Sequence, residues 1–343
     1  SGLTRPSNFV ANDVSQNETS TTSSSLVINI NNSQDANSLN IKNYVIGFEG
    51  TSTNPSSGVR TLTPGTVNPT AINNDVTLLN LPSNTIYNLD AHLINSQDVS
   101  NNTIEFSGTT RPLDFENSDL NQNIGNTTQT KLGIIVNNAQ TAGTLNINKY
   151  RFDISGNNST GTVDKTPDNQ GPTDSNNNIE LTTGIVANTF YDLSAHLFNT
   201  QDLSNSKLKF SGSTRPSEFN IDGTDVSQNM TSSNVSIDEI VMNITHKDLV
   251  GTLNIDEYKI KYSARGNTDK NTITRTATNK GPNDSNNDVS VDNLQYPNSV
   301  YDMSVCLFNT KDMSNAYIDI SGLTRPSNFV SSDVTQNKPS TTT

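Results

Sequence analysis

The chain has 343 residues, of which 30% are hydrophobic, and its formal net charge is −13 at pH 7. That length suits two or three ordinary domains, and so few hydrophobic residues indicate several small cores rather than one large core. An acidic surface repels nucleic-acid phosphates and anionic lipid, so we expect neither as a partner. The sequence has no apolar run of about 18 residues, so direct membrane insertion is not expected either. The single cysteine, Cys306, excludes an intrachain disulfide.

The sequence is organised by an internal repeat. The hexapeptide Ser-Gly-x-Thr-Arg-Pro occurs four times, at Ser1–Pro6, Ser107–Pro112, Ser211–Pro216 and Ser321–Pro326. Successive copies start about 105 residues apart, which is too long for one turn of a solenoid, so each repeat is predicted to be a whole domain. The first and last copies belong to two identical segments of ten residues, Ser1–Val10 and Ser321–Val330.

These boundaries predict five units. Residues 1–5 are predicted to be the last strand of a preceding module. Residues 6–111, 112–215 and 216–325 are predicted to be three β-sandwich repeats, and residues 326–343 the first strand of a following module or a tail. We therefore expect the natural protein to continue on both sides. The alternative is that a neighbouring subunit completes each end by strand addition.

Alternating apolar residues predict that each repeat is built from strands. In the segment from Tyr87 to Leu93 every second residue is apolar, and the segments at Tyr191 and Tyr301 repeat the pattern. A strand sends such alternating residues to opposite faces of a sheet. No stretch has a helical period. About seven short strands in about 100 residues, separated by Gly, Pro, Asn and Asp, indicate an all-β sandwich.

The end of each repeat resembles fibronectin type III domains. The segment Leu81-Pro-Ser-Asn-Thr-Ile-Tyr87, followed by alternation to Asn95, is similar to the family's turn into its sixth strand. The resemblance implies three tandem seven-stranded immunoglobulin-like, fibronectin type III-like sandwiches in an extended array. It also implies that Tyr87, Tyr191 and Tyr301 are corner tyrosines that tie a loop to the backbone. The strand at Tyr44, Tyr150 and Tyr258 would be the family's third.

Short linkers predict that the modules are joined stiffly. Each junction is essentially Thr-Arg-Pro, and proline fixes its own φ and restricts the residue before it. The residues expected to set the junctions are Arg111, Pro112, Arg215, Pro216, Arg325 and Pro326. We expect the arginines to pair with acidic groups of the next module, such as Asp119 or Asp225.

The search for chemistry predicts no catalytic, cofactor or metal site. Oxygen-rich loops make Asp174, Asp284 and Asp288 weak candidates for calcium, although turn formation explains the same residues. Cys306 has no histidine at a recognised spacing, so an inert thiol is expected. Sequons make five asparagines candidates for glycosylation if the host glycosylates: Asn17, Asn101, Asn126, Asn229 and Asn283.

Together these features predict a structural, non-catalytic fibre or spacer on a cell or virion surface, with adhesion as a further role. Its expected partners are neighbouring copies or modules of the same protein, a surface glycan or receptor, or other virion proteins. Two alternatives stay open. One is a minor capsid or tail protein of a large virus, and the other is a glycan- or receptor-binding adhesin module. The low aromatic content, 6%, makes an aromatic binding patch scarce.

Overall fold

The computed structural model describes residues 4–31, 39–51, 57–62, 74–140, 143–156, 159–173, 176–231, 236–248, 251–282, 286–330 and 332–333. Within these residues the regular elements are 21 strands and one short 3₁₀ turn, Ile124–Asn126, and no α-helix is present. The predicted all-β class is confirmed.

Seven strands form the first module. They are β1 (Val14–Gln16), β2 (Ser25–Ile30), β3 (Ile41–Gly50), β4 (Ser57–Leu62), β5 (Asn74–Leu79), β6 (Ile86–Asn95) and β7 (Ile104–Thr109). One sheet has the order β1-β2-β5 and the other the order β4-β3-β6-β7, with antiparallel neighbours throughout. A three-stranded sheet therefore packs on a four-stranded sheet.

The second and third modules repeat this arrangement strand for strand. The second contains β8 (Leu120–Gln122), β9 (Leu132–Asn137), β10 (Ile147–Gly156), β11 (Ser159–Lys165), β12 (Asn176–Leu181), β13 (Phe190–Asn199) and β14 (Leu208–Ser213). The third contains β15 (Val226–Gln228), β16 (Ile240–Thr245), β17 (Ile255–Ala264), β18 (Asn271–Thr276), β19 (Asn286–Val291), β20 (Val300–Asn309) and β21 (Ile318–Leu323). The prediction of three tandem seven-stranded sandwiches is confirmed, while the exact unit boundaries stay a prediction.

Each module buries its own core. In β6 the alternating residues Tyr87, Leu89, Ala91 and Leu93 all face inward and are buried, as their spacing predicts. The buried apolar side chains fall into three clusters, each drawn from one module. Because no apolar core is shared between modules, their relative placement depends on contacts at their ends.

Two sets of tyrosines link the parts of each sandwich. The hydroxyls of Tyr150 and Tyr258 accept hydrogen bonds from Asn177 (3.1 Å) and Asn287 (2.9 Å), which lie on the opposite sheet. Burial, only partly offset by these bonds, raises the pKa of both tyrosines to about 12. Tyr44 and Asn74 form the same cross-sheet pair in the first module (3.1 Å).

The residues expected to be corner tyrosines bond the loop before their strand. The Tyr191 hydroxyl accepts the N–H of Val186 (2.7 Å), five residues earlier, and the Tyr301 hydroxyl accepts the equivalent N–H (3.0 Å). In the first module the equivalent residue is Pro82, which has no N–H. The Tyr87 hydroxyl lies 3.4 Å from the Pro82 carbonyl oxygen and donates to it.

The buried tyrosines predict a loss of stability at alkaline pH. Their folded-state pKa of about 12 lies above the ordinary tyrosine value of 10.0, so folding favours the protonated form. Their contribution is complete below pH of about 10 and is lost as pH rises toward 12, by about 1 kcal/mol per tyrosine for each pH unit. Urea denaturation followed by circular dichroism measures this slope.

The double variant Tyr150→Phe/Tyr258→Phe is the control for this slope. It is expected to be less stable than the natural chain at neutral pH, by about 1 kcal/mol per site, because each buried amide loses one of its two acceptors. Its stability should then fall less steeply between pH of about 10 and 12. An unchanged slope in the variant would show that other groups cause the alkaline loss.

Candidate functional site

Backbone carbonyl groups of two modules hold Arg111 between them. Its Nε donates to the Thr21 carbonyl (2.7 Å) and its Nη2 to the Glu18 carbonyl (2.6 Å), both in the first module. Its Nη1 donates to the Ser204 carbonyl (2.8 Å) in the second module. The guanidinium carries its donors in a rigid planar fork, so one side chain ties the two modules together in a fixed geometry.

Arg215 repeats this arrangement at the next junction. Its Nε donates to the Thr127 carbonyl (2.8 Å) and its Nη2 to the Ile124 carbonyl (3.1 Å) of the second module. Its Nη1 donates to the Ser314 carbonyl (3.0 Å) of the third module. The two junctions are thus built by equivalent residues, since Ser204 and Ser314 form the same isolated bridge in their modules.

The predicted acidic partners of these arginines are wrong. An oxygen of Asp119 accepts the N–H of Glu116 (2.8 Å), and an oxygen of Asp225 accepts the N–H of Asn220 (2.8 Å). Both carboxylates therefore close turns inside their own module. The arginines instead donate to backbone carbonyl oxygens at the module ends, of which those of Thr21 and Thr127 belong to buried residues.

The third module carries the equivalent residues Arg325 and Pro326. The backbone N–H of Arg325 donates to the Ser236 carbonyl (2.9 Å), as that of Arg111 donates to Thr22 (3.1 Å). The end of the third module is therefore built like the ends of the other two. Pro112 and Pro216 directly follow Arg111 and Arg215, so each junction passes within one residue from the arginine to a fixed φ.

An asparagine that the sequence patterns did not single out lies at the centre of each junction. Asn84 and Asn188 lie three residues before the corner tyrosines, with positive φ values of 51° and 50°. Asparagine tolerates this left-handed conformation better than most residues. Both side chains are completely buried between modules. The signal that could have found them is an Asn at this same place in all three repeats, Asn298 being the third.

Asn84 uses both its backbone and its side chain to bind the second module. Its Nδ2 donates to the Leu145 carbonyl (2.7 Å), and its own carbonyl accepts the N–H of Leu145 (3.2 Å) and of Thr144 (3.0 Å). Its Oδ1 accepts Nδ2 of Asn199 (3.0 Å). A short segment of the second module is therefore paired with one residue of the first, much as a strand is paired in a sheet.

Asn188 makes the same four bonds to the third module. Its Nδ2 donates to Leu253 (2.7 Å), and its carbonyl accepts the N–H of Leu253 (3.0 Å) and Thr252 (2.9 Å). Its Oδ1 accepts Nδ2 of Asn309 (3.0 Å). Because two successive junctions have the same bonding pattern, this geometry is a repeated feature of the chain and not a chance contact.

Glycine permits this close approach. A Cβ atom added to Gly143 would lie 2.8 Å from the Cβ of Asn84, and one added to Gly251 would lie 3.0 Å from the Cβ of Asn188. Each value is too short for a comfortable contact, so a larger residue would push the modules apart. Gly143 and Gly251 each lie two residues before the leucine that pairs with the asparagine.

The junction asparagines predict a stability difference between two equivalent sites. Asn188→Ala should destabilise the chain by about 1–3 kcal/mol more than Asn298→Ala, because only Asn188 leaves buried partners unpaired in the next module. Asn298 has the same φ of 50° but is exposed, so it controls for the strain of alanine in the left-handed region. Urea denaturation checks this, and equal losses would contradict a role of Asn188 between modules.

A buried histidine and aspartate lie beside the second junction. His246 and Asp248 have side-chain exposures of 3% and 0%, with Nδ1 and Oδ2 3.7 Å apart. Asp248 Oδ1 accepts the N–H of Ser217 (3.1 Å) and also its hydroxyl, while His246 Nε2 faces the Ser217 carbonyl (2.9 Å). Because the Ser217 hydroxyl donates to the carboxylate and not to the imidazole, this group is not arranged as a nucleophilic triad.

The second module has neutral residues at the same positions. Gln140 Oε1 accepts the N–H of Leu113 (2.6 Å), and its Nε2 donates to Asn138. Asn138 and Gln140 thus correspond to His246 and Asp248. The third module therefore has an ionisable pair where the second has a neutral amide pair. Two buried atoms of that pair, His246 Nδ1 and Asp248 Oδ2, have no hydrogen-bond partner.

This substitution gives a matched pair of variants. Asp248→Ala should destabilise the third module by about 1–3 kcal/mol or more, because the N–H and the hydroxyl of Ser217 lose their acceptor. The double variant His246→Asn/Asp248→Gln copies the second module and should be closer to neutral, since amides that bond each other and the backbone N–H replace the pair. Urea denaturation compares the stability of the two variants. A double variant that is less stable than Asp248→Ala would refute this account.

The calcium candidates fall partly outside the described residues, as Asp174 and Asp284 do. Asp288 Oδ1 accepts side-chain amide bonds from Asn229 (3.2 Å) and Asn243 (3.3 Å), so amides occupy that oxygen. Within the described ranges no cluster of three or more His, Cys, Asp or Glu side chains could hold a metal ion.

Among the glycosylation candidates, Asn101 is wrong. Its side chain is buried, its Oδ1 accepts the N–H of Leu93 (2.8 Å) and its Nδ2 donates to the Ser7 carbonyl (3.1 Å), so a glycan on Nδ2 would break the fold. Asn126 is exposed and Asn17 and Asn229 are partly exposed, and they stay predictions. Asn283 lies outside the described residues.

Cys306 is buried on the strand β20. Burial raises the pKa of its thiol, while a hydrogen bond with Tyr317 and the charges of Lys259 and Lys261 act in the opposite direction. Burial therefore disfavours the reactive thiolate form of Cys306.

Comparisons with known proteins concern the fold. No family model matches the sequence, and no curated protein matches it. Among solved structures, the chain is similar to the crystal structure of the FN1-FN3 domains of chicken CNTN1, with 14% sequence identity and a TM-score of 0.34, covering 94% of this chain and 98% of that chain.

The described part of the chain contains no helix with the length and hydropathy that crossing a bilayer requires. Its regular structure is a series of sandwiches, each with a three-stranded and a four-stranded antiparallel sheet and a tyrosine bonded to the loop before the sixth strand. This architecture is that of tandem seven-stranded antiparallel β-sandwiches.

Proposed function

We propose that this chain is a non-catalytic spacer whose work is to hold its modules at fixed separations and angles on a cell or virion surface. The observation that carries the proposal is the repetition of one junction. Asn84 and Asn188 make the same four bonds to the following module, and Arg111 and Arg215 the same three bonds to carbonyls on both sides. A protein that only displayed separate domains would have no need for identical, buried junctions.

The bonding makes each junction resist both bending and twisting. A single contact between two modules would allow them to rotate about it. Asn84 and Arg111 instead bind different loops of the second module, Asn84 at Leu145 and Arg111 at Ser204. Hydrogen bonds are directional, so two separated sets fix an orientation as well as a distance. Breaking the asparagine set would leave buried donors and acceptors unpaired.

The acidic surface supports a role outside nucleic-acid or membrane binding. A net charge of −13 keeps the chain soluble and disfavours anionic partners. Expected partners are neighbouring modules or copies of the same protein.

A distance measurement tests the stiffness directly. Spin labels at Thr160→Cys and Thr272→Cys, on exposed positions of β11 and β18, report the separation of the second and third modules once Cys306 is replaced by Ala. We expect one narrow distance distribution in the otherwise natural chain. Adding Asn188→Ala and Arg215→Ala should broaden it, because both sets of junction bonds are lost.

The control for this experiment is Asn298→Ala, which alters the same loop of the third module but no described junction and should leave the distribution narrow. Small-angle scattering on the natural chain should give a maximum dimension of about 100 Å, from strands of about ten residues at 3.3 Å each and three modules in line. A broad distribution in the natural chain, or a compact scattering envelope, would sink the proposal.

A further inference from the structure

The buried pair His246 and Asp248 lies where two segments of the third module meet the second module. Asp248 Oδ1 accepts the N–H of Ser217 (3.1 Å), which directly follows the proline of the linker. The Asp248 carbonyl accepts the N–H of Gly251 (2.9 Å), at the start of the segment that pairs with Asn188. The pair therefore holds both the segment that leaves the linker and the segment that receives the junction asparagine.

Hydrogen bonding decides which ring nitrogen of His246 carries a proton. Nε2 lies 2.9 Å from the Ser217 carbonyl oxygen, which can only accept, so Nε2 must donate. In a neutral imidazole the other nitrogen, Nδ1, is then an acceptor. Nδ1 lies 3.7 Å from Asp248 Oδ2, and neither atom has a hydrogen-bond partner in the described part of the chain. With a neutral ring, two buried acceptors would therefore face each other.

A second proton on the imidazole removes this conflict. It makes Nδ1 a donor to Asp248 Oδ2, and the ring takes it in preference to the carboxylate because imidazole is the stronger base. The pair with this proton has no net charge, whereas without it the pair carries one negative charge on side chains that are 3% and 0% exposed. Because burial disfavours net charge, folding favours the form of His246 that keeps the proton.

The other groups around the pair do not replace this proton. The ring of Phe219, 5.4 Å from the imidazole, and the amide of Asn315, which donates to the Ser217 carbonyl (3.1 Å), are neutral. The charged residues on the described segments around the pair are all exposed: Glu218, Lys247 and Lys280. Water and salt screen those three charges, so the carboxylate of Asp248 is the charge that governs the imidazole.

The first junction is held in the same way by groups that do not titrate. Gln140 Oε1 accepts the N–H of Leu113 (2.6 Å), and the Gln140 carbonyl accepts the N–H of Gly143 (2.7 Å), as Asp248 does for the equivalent residues. Gln140 Nε2 also donates to the Asn138 side chain, so the two amides are paired without an added proton. A change of pH is therefore expected to act on the second junction and not on the first.

We propose that the His246–Asp248 pair carries one additional proton in the folded chain, and that this proton makes the second junction sensitive to pH. Its loss leaves two buried acceptors facing each other, which drives the side chains apart and loosens the two segments that they hold against the second module. The array is then stiff at both junctions at low pH and becomes more mobile at one of them as pH rises. This inference rests on the proposed function, because it adds a control to a junction that makes the spacer stiff.

The direction of the effect follows from the protons bound in each state. An unfolded histidine releases its proton above pH of about 6.5, whereas the folded pair keeps it. The folded chain then binds more protons than the unfolded chain, so the contribution of the pair to stability is complete below pH of about 6.5 and decreases as pH rises. Since one proton is involved, the equilibrium constant for unfolding changes by at most about tenfold for each pH unit.

Nuclear magnetic resonance of the histidine rings tests the proton in the natural chain. We expect the His246 ring to be doubly protonated at a pH where the histidines of the urea-unfolded chain are already neutral. His196 is the internal control, because burial and the charge of Lys207 lower its pKa, and its ring should be neutral at that pH. The signals of His246 are assigned by their absence from His246→Asn/Asp248→Gln. A neutral His246 ring at that pH would overturn the proposal.

The spin labels at Thr160→Cys and Thr272→Cys, with Cys306→Ala, test the effect on the second junction. Their distance distribution should be narrow at pH of about 5.5 and broader at pH of about 9, which is below the range in which the buried tyrosines ionise. The matched control adds His246→Asn/Asp248→Gln, which has the amide pair of the second module and should stay narrow at both pH values.

Labels at Thr61→Cys and Thr160→Cys, both at exposed positions, report the first junction and should not respond to pH. Equal broadening at high pH in the double variant, or at both junctions, would contradict the assignment to His246 and Asp248. A distribution for the second junction that is narrow at every pH would refute this inference alone. One that is broad even at pH of about 5.5 would refute the stiffness of the spacer as well.

Discussion

The array depends on one buried polar contact, in which a left-handed asparagine at the end of one sandwich pairs with the backbone at the start of the next. Each module already completes its own core, so no shared apolar interior could fix the angle between them. Apolar contact is non-directional and allows surfaces to slide. Hydrogen bonds from Asn84 or Asn188 have strict geometry, and their burial makes each broken bond costly. Orientation is therefore set by polar groups while stability within each module is set by apolar ones.

The arginine completes this constraint by acting through its shape rather than through pairing with acids. A surface salt bridge contributes little free energy and is screened by salt. Three carbonyl bonds in the plane of one guanidinium do not depend on a partner charge, so the geometry of Arg111 is expected to hold across salt concentrations. Lysine has no such fork and could not join three carbonyls on two modules. The proline that follows then limits how the chain leaves the junction.

Much of the fold could be predicted from the sequence, because alternation such as that from Tyr87 to Leu93 reports directly on strands and on the buried face. The role of Arg111 as a junction residue could also be predicted from the sequence, since an arginine recurs at this position of each linker. Its partners were not, because backbone carbonyls carry no sequence signal. Asn84 went unnoticed since asparagine is frequent throughout this chain and its role depends on a positive φ. His246 and Asp248 were missed because they replace Asn138 and Gln140, and only the structure shows that these pairs correspond.

The junction also has a direction, and this has consequences for any larger assembly. Each module has an asparagine loop at one end and a receiving segment at the other, and the two ends are not self-complementary. Contacts between unlike faces do not form a closed pair. They add modules in one direction until a module has an end face that cannot form the contact. Gly143 occupies a position where such a difference would act, because a side chain in its place would separate the faces that Asn84 brings together. A single residue per module can therefore decide whether the next junction is tight or weak, without any change in the sandwich that carries it.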